Sequence, residues 1–210
     1  MKRHIIHGCL FGSMLVFMAW SFYQPKERFT WLMEVFPAII GSAILAATYR
    51  RFKFTTLTYT LAWMFSLILI AGGHWTYAEV PLGNWARDAF HLSRNHFDRL
   101  GHLFQGIVPA MLGRELLLRT SPLRPGKWMF FICVSIAMCI SASYELFEYM
   151  YAVLSGGAKA AESFLGGQGD NWDTQNDMLM ALIGSIFAMT FLTRWQDRQI
   201  REMVGSTNKA

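Results

Sequence analysis

Residues 128–154 read WMFFICVSIAMCISASYELFEYMYAVL, with no charged side chain between Lys127 and Glu145. A helix needs about 20 predominantly apolar residues to cross a bilayer, and this run is long enough. The bilayer interior offers no partner for free backbone N–H and C=O groups, so only helices and closed barrels span it. The alternating pattern of barrel strands is absent. The run is therefore a transmembrane helix, and the same reading extends outward from it in both directions.

Six such spans are placed at about 5–23, 31–49, 57–77, 98–118, 128–154 and 177–195. The expected fold is all-α: a polytopic transmembrane helical bundle forming one integral membrane domain over 1–210. The first span follows Lys2 and Arg3 and starts like a secretory signal. Its length and the spans after it favour an uncleaved anchor. The fourth, from Asp98 to Leu118, is the least apolar. A polar connection from Glu79 to Phe97 holds Trp85, Phe90, His91 and Leu92, which predicts a short helix on the membrane surface. A glycine-rich loop, 155–176, precedes the last span, and its Gly156, Gly157, Gly166, Gly167 and Gly169 would let it fold over a site or serve as a connector. The tail after 195 is polar and reads as frayed.

Composition agrees. Of 210 residues, 53% are hydrophobic and 16% charged, and mean hydropathy is +0.26. Soluble domains carry about 25% charged residues. The net charge of +5 is no nucleic-acid footprint, because Lys and Arg lie in small groups between apolar runs and form no continuous basic face. Those groups give the topology instead. The side holding Lys2, Arg3, Arg50, Arg51, Lys53, Arg114, Arg119, Arg124, Lys127, Arg194, Arg198, Arg201 and Lys209 carries roughly twice the positive charge of the other, so both termini are cytoplasmic (N-in and C-in). Trp20, Trp31, Trp75, Trp128, Trp172 and Trp195 fall near span ends, as an aromatic belt requires. Cys9, Cys133 and Cys139 all sit in apolar runs without a CxxC spacing, so no disulfide-linked partner and no thiolate metal site is expected.

With this orientation most acidic residues face outward. Asp98, His102 and Gln105 share one face at the outer start of span four. Glu145 and Glu148 lie three apart near the outer end of span five, beside Tyr144. Asp173 and Asp177 lie four apart at the outer start of span six, beside Asp170, Asn171 and Asn176. Three spans thus bring spaced ionisable groups to similar depth. A charge deep in a span costs roughly 2.5–3.5 kcal/mol on insertion scales, so Glu145, Glu148 and His102 should face inward, toward partners or water. Glu34 would pair with Arg28 or join them. His74 is read as interfacial, His4 and His7 as incidental, and Arg114 with Glu115 as a cytoplasmic span end.

The longer motifs are Asn95-His96-Phe97-Asp98-Arg99-Leu100-Gly101-His102, Tyr144-Glu145-Leu146-Phe147-Glu148-Tyr149 and Gly169-Asp170-Asn171-Trp172-Asp173-Thr174-Gln175-Asn176-Asp177. On these the whole chain resembles the YjdF-type bacterial inner-membrane proteins. The resemblance implies a multi-pass protein of the bacterial inner (cytoplasmic) membrane, with its outer face toward the periplasm or cell exterior. More distantly, the second half is similar to the VanZ-like membrane proteins, whose pattern of Asp-basic-x-x-His, Glu-x-x-Gln and Asp-x-x-x-Asn-x-x-Gly has counterparts at Asp98-Arg99-x-x-His102, Glu145-x-x-Glu148 and Asp177-x-x-x-Ala181-x-x-Gly184. Glu148 replaces Gln there and Ala181 replaces Asn.

Three functions fit an outer polar pocket of Asp98, His102, Gln105, Glu145, Glu148, Asp173 and Asp177. It binds a cation, or a cationic or lipid-linked headgroup. It holds a divalent metal on His102, Glu145, Glu148 and Asp177 and acts as an enzyme on a lipid or envelope precursor. Or it handles protons for a transporter. A purely structural network is the fourth reading. The expected partners are the lipid bilayer and a lipid or small cationic ligand, with no nucleic acid. No HExxH, GxSxG or P-loop decides whether the chain is an enzyme.

Overall fold

The computed structural model describes residues 2–154 and 167–207. Its elements are α1 (Lys2–Phe22), α2 (Arg28–Thr48), α3 (Thr56–Trp75), a single 3-10 turn (Tyr77–Glu79), α4 (Pro81–Phe90), α5 (Phe97–Thr120), α6 (Lys127–Leu154), α7 (Asp173–Phe187) and α8 (Thr193–Thr207). A π-helical segment, Ala188–Leu192, joins the last two. No strand occurs among the described residues.

Among the described residues, five helical runs are long and apolar enough to cross a membrane: α1, α2, α3, α6 and the continuous α7–α8 rod. The sixth crossing follows from parity. Arg3 on α1 pairs with Glu202 on α8 at 2.7 Å, so the two ends of the chain share one face and the number of crossings is even. α5 supplies the missing one. Its outer end sits beside α7, where Arg99 meets Asp173, and its inner end meets the turn before α3, where Arg119 donates to the Lys53 carbonyl. At 24 residues and about 1.5 Å per residue it is long enough to span. It is also the central helix, packed most extensively on α7 and then on α6 and α3. That position is why it tolerates polar residues that no lipid-facing helix would carry.

Local chemistry sets the boundaries. The Thr55 side chain caps α3 by accepting from the Thr58 N–H at 3.3 Å. Thr76, at φ +63°, ends α3, and a Cβ on Gly72 would collide with the Tyr77 ring that folds back over it. α4 lies where the surface helix is expected. Leu82, Trp85 and Phe90 on it are all about two-thirds exposed, the arrangement of a helix resting in the interface.

Two expectations are corrected, and a third lies largely outside the described residues. The chain after 195 is not frayed: the helix runs on to Thr207, and Gln196, wholly buried, holds that stretch to the bundle. Trp31 does not belong to the aromatic belt. It is buried, donating to Ser21 Oγ at 3.0 Å and meeting Phe22 edge-on. The loop 155–176 is described only from residue 167, so Gly156, Gly157 and Gly166, and with them most of the lid reading, lie outside the described residues.

Candidate functional site

The outer ends of α5 and α7 are tied by two arginines. Arg94 Nη1 lies 2.7 Å from Asp173 Oδ1 and 3.5 Å from Asp170 Oδ2, and it donates to the Gly167 carbonyl at 2.8 Å. Arg99 Nη2 reaches Asp170 Oδ2 at 2.9 Å and Asp173 Oδ1 at 2.7 Å, while its Nη1 bonds Asp177. Both arginines are less than a tenth exposed. The loop ahead of α7 is pinned in the same place. Asn95 and Gln168 exchange two hydrogen bonds, at 3.1 and 2.9 Å. Asp170 accepts from the Trp172 N–H at 2.9 Å and from Asn176 at 3.1 Å.

Beneath this clamp lies His102. Its Nε2 is 3.4 Å from Asp98 Oδ1 and 3.6 Å from Asp177 Oδ1. Its Nδ1 is 2.9 Å from Gln105 Oε1 and 3.6 Å from Glu145 Oε1. When Nδ1–H donates to Gln105, Nε2 turns its lone pair toward two carboxylates, an arrangement that calls for a proton or a cation between them. Among the described residues, Asp98, His102 and Asp177 form a group whose ligand atoms all lie within 4.8 Å of one another. α6 contributes from the opposite side. Glu145 Oε1 and Ser141 Oγ, one turn apart on one face, are buried without a hydrogen-bond partner. Glu148, three residues on from Glu145, is also buried.

The structure thus brings Asp98, His102, Gln105, Glu145 and Asp177 together. Asp173 belongs instead to the arginine clamp above them. Of the four residues first read as metal ligands, Asp177 and His102 sit in the tight group, Glu145 stands on the far nitrogen of the imidazole, and Glu148 is outside it. Asp98 takes the remaining place. Glu34 joins the centre, buried on α2 and accepting from Tyr144 Oη at 3.3 Å. His74 stays out: it packs against Trp20 and Trp75, with Nδ1 2.9 Å from the Ser21 carbonyl.

Arg94, Arg99 and Ser141 were missed from sequence. In sequence, Arg94 and Arg99 add only to the smaller positive charge of the outer side. The spacing Asp98-Arg99-x-x-His102 was a signal that Arg99 enters the span. A larger omission is a second buried network on the cytoplasmic side. Glu115, with no exposed surface, accepts from the Thr55 N–H and hydroxyl and from the Thr58 hydroxyl, each at 2.8 Å, and from Arg119 at 3.0 Å. Arg114 binds Gln196 Oε1 at 2.7 Å and Asp197 at 2.8 Å. The Arg114–Glu115 pair is therefore not a mere span end, and the cytoplasmic half of the bundle is not wholly apolar. His4 and His7 are likewise engaged, both on the Tyr49 hydroxyl at 2.9 and 3.0 Å.

Fold and site together define a multi-pass helical membrane protein whose central polar helix carries a buried ion-pair and histidine centre under the outer face. The chain belongs to the family described as "Predicted membrane protein (DUF2238)", which it matches over residues 6–198. It is 43% identical over 189 residues, 90% of either chain, to "Inner membrane protein YjdF" of Escherichia coli (strain K12). No solved structure matches it. Its place is the inner membrane. The VanZ-like resemblance rests on its three short motifs alone.

Proposed function

We propose that this inner-membrane protein binds a divalent cation at the outer polar centre, through Asp98, His102 and Asp177, with Glu145 beside the far nitrogen of the imidazole supporting the ring rather than the ion. The observation that carries the reading is the buried group of Asp98, His102 and Asp177, whose ligand atoms all lie within 4.8 Å of one another. Charge counting supports it. Asp170, Asp173 and Asp177 face Arg94 and Arg99. Asp98, Glu145, Glu148 and Glu34 remain, all buried, and among the described residues His102 is the further cationic side chain placed with them. Carboxylates so confined need protons or a cation.

The spacing suits zinc. Tetrahedral ligands at ~2.0–2.2 Å from zinc lie about 3.3–3.6 Å apart, and His102 Nε2 stands 3.4 and 3.6 Å from its two carboxylate neighbours. Gln105 on Nδ1 would fix the ring orientation, as partners of metal-bound histidines do. The same centre would accept a cationic headgroup if no ion occupies it. Elemental analysis and calorimetric zinc titration of the purified protein test this. Wild type should carry stoichiometric metal, and Glu145→Gln should weaken binding by about 10–100-fold. Equal metal content in wild type, Glu145→Gln and His102→Asn, with unchanged thermal stability, would overturn the proposal.

A further inference from the structure

A second feature lies at the other end of the bundle. A cavity of about 960 Å³ runs between α1, α2, α3, α5 and α6, near the upper end of the ~300–1,000 Å³ usual for ligand pockets. α1 and α2 are joined at their outer ends, where Trp31 meets Ser21 and Phe22, and both line the cavity below that junction. Its walls are apolar, and Phe11, Phe36, Ile40 and Ile44 on them are each more than two-fifths exposed, so the cavity opens sideways toward the bilayer. Small residues keep it open: a Cβ on Gly8 or Gly41 would meet no atom within 4 Å.

Its two ends differ. Toward mid-membrane the lining reaches Pro37, Val108, Pro109 and Ile140, about one turn beneath Glu34, Gln105 and Tyr144 of the polar centre on the same helices. The open end lies at the cytoplasmic face, at His4, His7, Tyr49 and Tyr59. There Lys53 Nζ stands 5.7 Å from the Tyr49 ring, and Arg50 and Arg51 follow directly in the chain. No acidic residue occurs in 1–26 or in 35–78, so the segments forming this rim contribute only positive charge. Arg50, Arg51 and Lys53 make no ion pair among the described residues. From Phe36 to Thr48 the cavity follows α2 for 13 residues, about 20 Å at ~1.5 Å each. Half of a ~30 Å hydrocarbon core is somewhat less, so the cavity spans one leaflet.

We propose that this groove is a binding site for one anionic phospholipid of the cytoplasmic leaflet. Its acyl chains fill the apolar cavity, and its phosphate lies at the rim of Arg50, Arg51 and Lys53. The site is independent of the outer cation centre. Length, sidedness and charge agree on the occupant: a chain-shaped apolar space that opens at a rim whose own segments, 1–26 and 35–78, carry cations and no acidic residue, while Glu115 nearby is already engaged by Thr55, Thr58 and Arg119.

The test uses the whole protein, reconstituted in an equimolar mixture of phosphatidylglycerol and phosphatidylethanolamine, then extracted in mild detergent, with retained lipid measured by native mass spectrometry. Wild type should retain phosphatidylglycerol in preference to phosphatidylethanolamine. Gly41→Phe, placed where open space exists, should lower retention of both about tenfold without loss of helix content. The pair Arg50→Glu with Lys53→Glu should keep lipid but abolish the preference. Retention by Gly41→Phe equal to wild type, an unchanged preference in the charge pair, or a lipid-free dimer in place of the lipid-bound chain would each overturn the proposal. Should Gly41→Phe fail to fold, the charge pair still decides.

Discussion

Arg99 enters the membrane on α5 and meets three aspartates at once, Asp170, Asp173 and Asp177. Removing one partner of a buried ion pair costs ~3–5 kcal/mol, because the other charge is left without compensation. Arg99→Met should therefore lower unfolding free energy by about that much in detergent, and Arg99→Lys should recover little of it, since a point-like ammonium cannot span three carboxylates. A loss below ~1 kcal/mol for Arg99→Met would show that the clamp holds little, as exposed pairs do. Asp170, in the loop outside the spans, adds a pH signature. Its carboxyl is held below the ordinary value, first by the Trp172 backbone N–H, then by Asn176 and the two arginines. The unfolded chain then binds more protons than the folded one in the acid range. The stabilisation is present above the usual carboxylate value of about 3.9 and is lost as pH falls through the depressed one. The melting temperature should therefore stay level from neutral pH to about that value, as far as Asp170 sets it, and then fall. Asp170→Asn should flatten the acid limb, which a melting series in acid buffers would show.

At the level of elements, the seam between α5 and α7 decides whether the centre assembles. A Cβ on Gly106 would overlap the Ala181 carbonyl, and one on Gly184 the Leu103 carbonyl. These are backbone atoms and have nowhere to move. Gly106→Ala or Gly184→Ala should each cost about 1–3 kcal/mol by overpacking and should weaken metal binding as well, since the helices carrying His102 and Asp177 are pushed apart. Unchanged stability and zinc affinity in both variants would rule the seam out as the positioning device. Much of this level was legible beforehand. Five apolar runs announced their own helices, and the i, i+4 spacing of Asp98 with His102 and of Asp173 with Asp177 placed those pairs on single faces. The seam was hidden in plain composition: Gly106 with Ala110, and Gly184 with Ala188, are small residues four apart, the spacing that lets membrane helices approach closely. The roles of Arg94, Arg99 and Glu115 were less accessible. A charge at a span end looks the same whether it points to water or inward, and only the partner helix settles which. Glu115 faces inward because Thr55, Thr58 and Gln196 meet it there.

Across the whole molecule, polar groups form two layers, one near each face, both built on α5. Arg99 and Glu115 are 16 residues apart, or ~24 Å along the helix. Between them α5 and α7 touch backbone to backbone at Gly106 and Gly184, and the next buried positions are Ile107, Met111 and Ala188. A transporter would have to couple the layers through this closed, apolar stretch. A cation-binding protein that does not transport needs no such coupling, and each layer would then act as a separate fastener. The two views differ in a double-mutant cycle. Glu145→Gln alters the outer layer and Glu115→Gln the inner. Glu115→Gln should be strongly destabilising by itself, because its two oxygens accept from four residues and the amide N–H₂ that replaces one of them cannot accept. Sites farther apart than ~10 Å without shared partners add to within about 0.5 kcal/mol. Additive unfolding free energies, together with zinc affinity in Glu115→Gln equal to wild type, are the outcome expected if the layers are independent. A coupling energy above ~1 kcal/mol, or zinc affinity that shifts when the inner carboxylate is altered, would mean that the two faces communicate, and would favour a transporter over the proposed cation-binding protein.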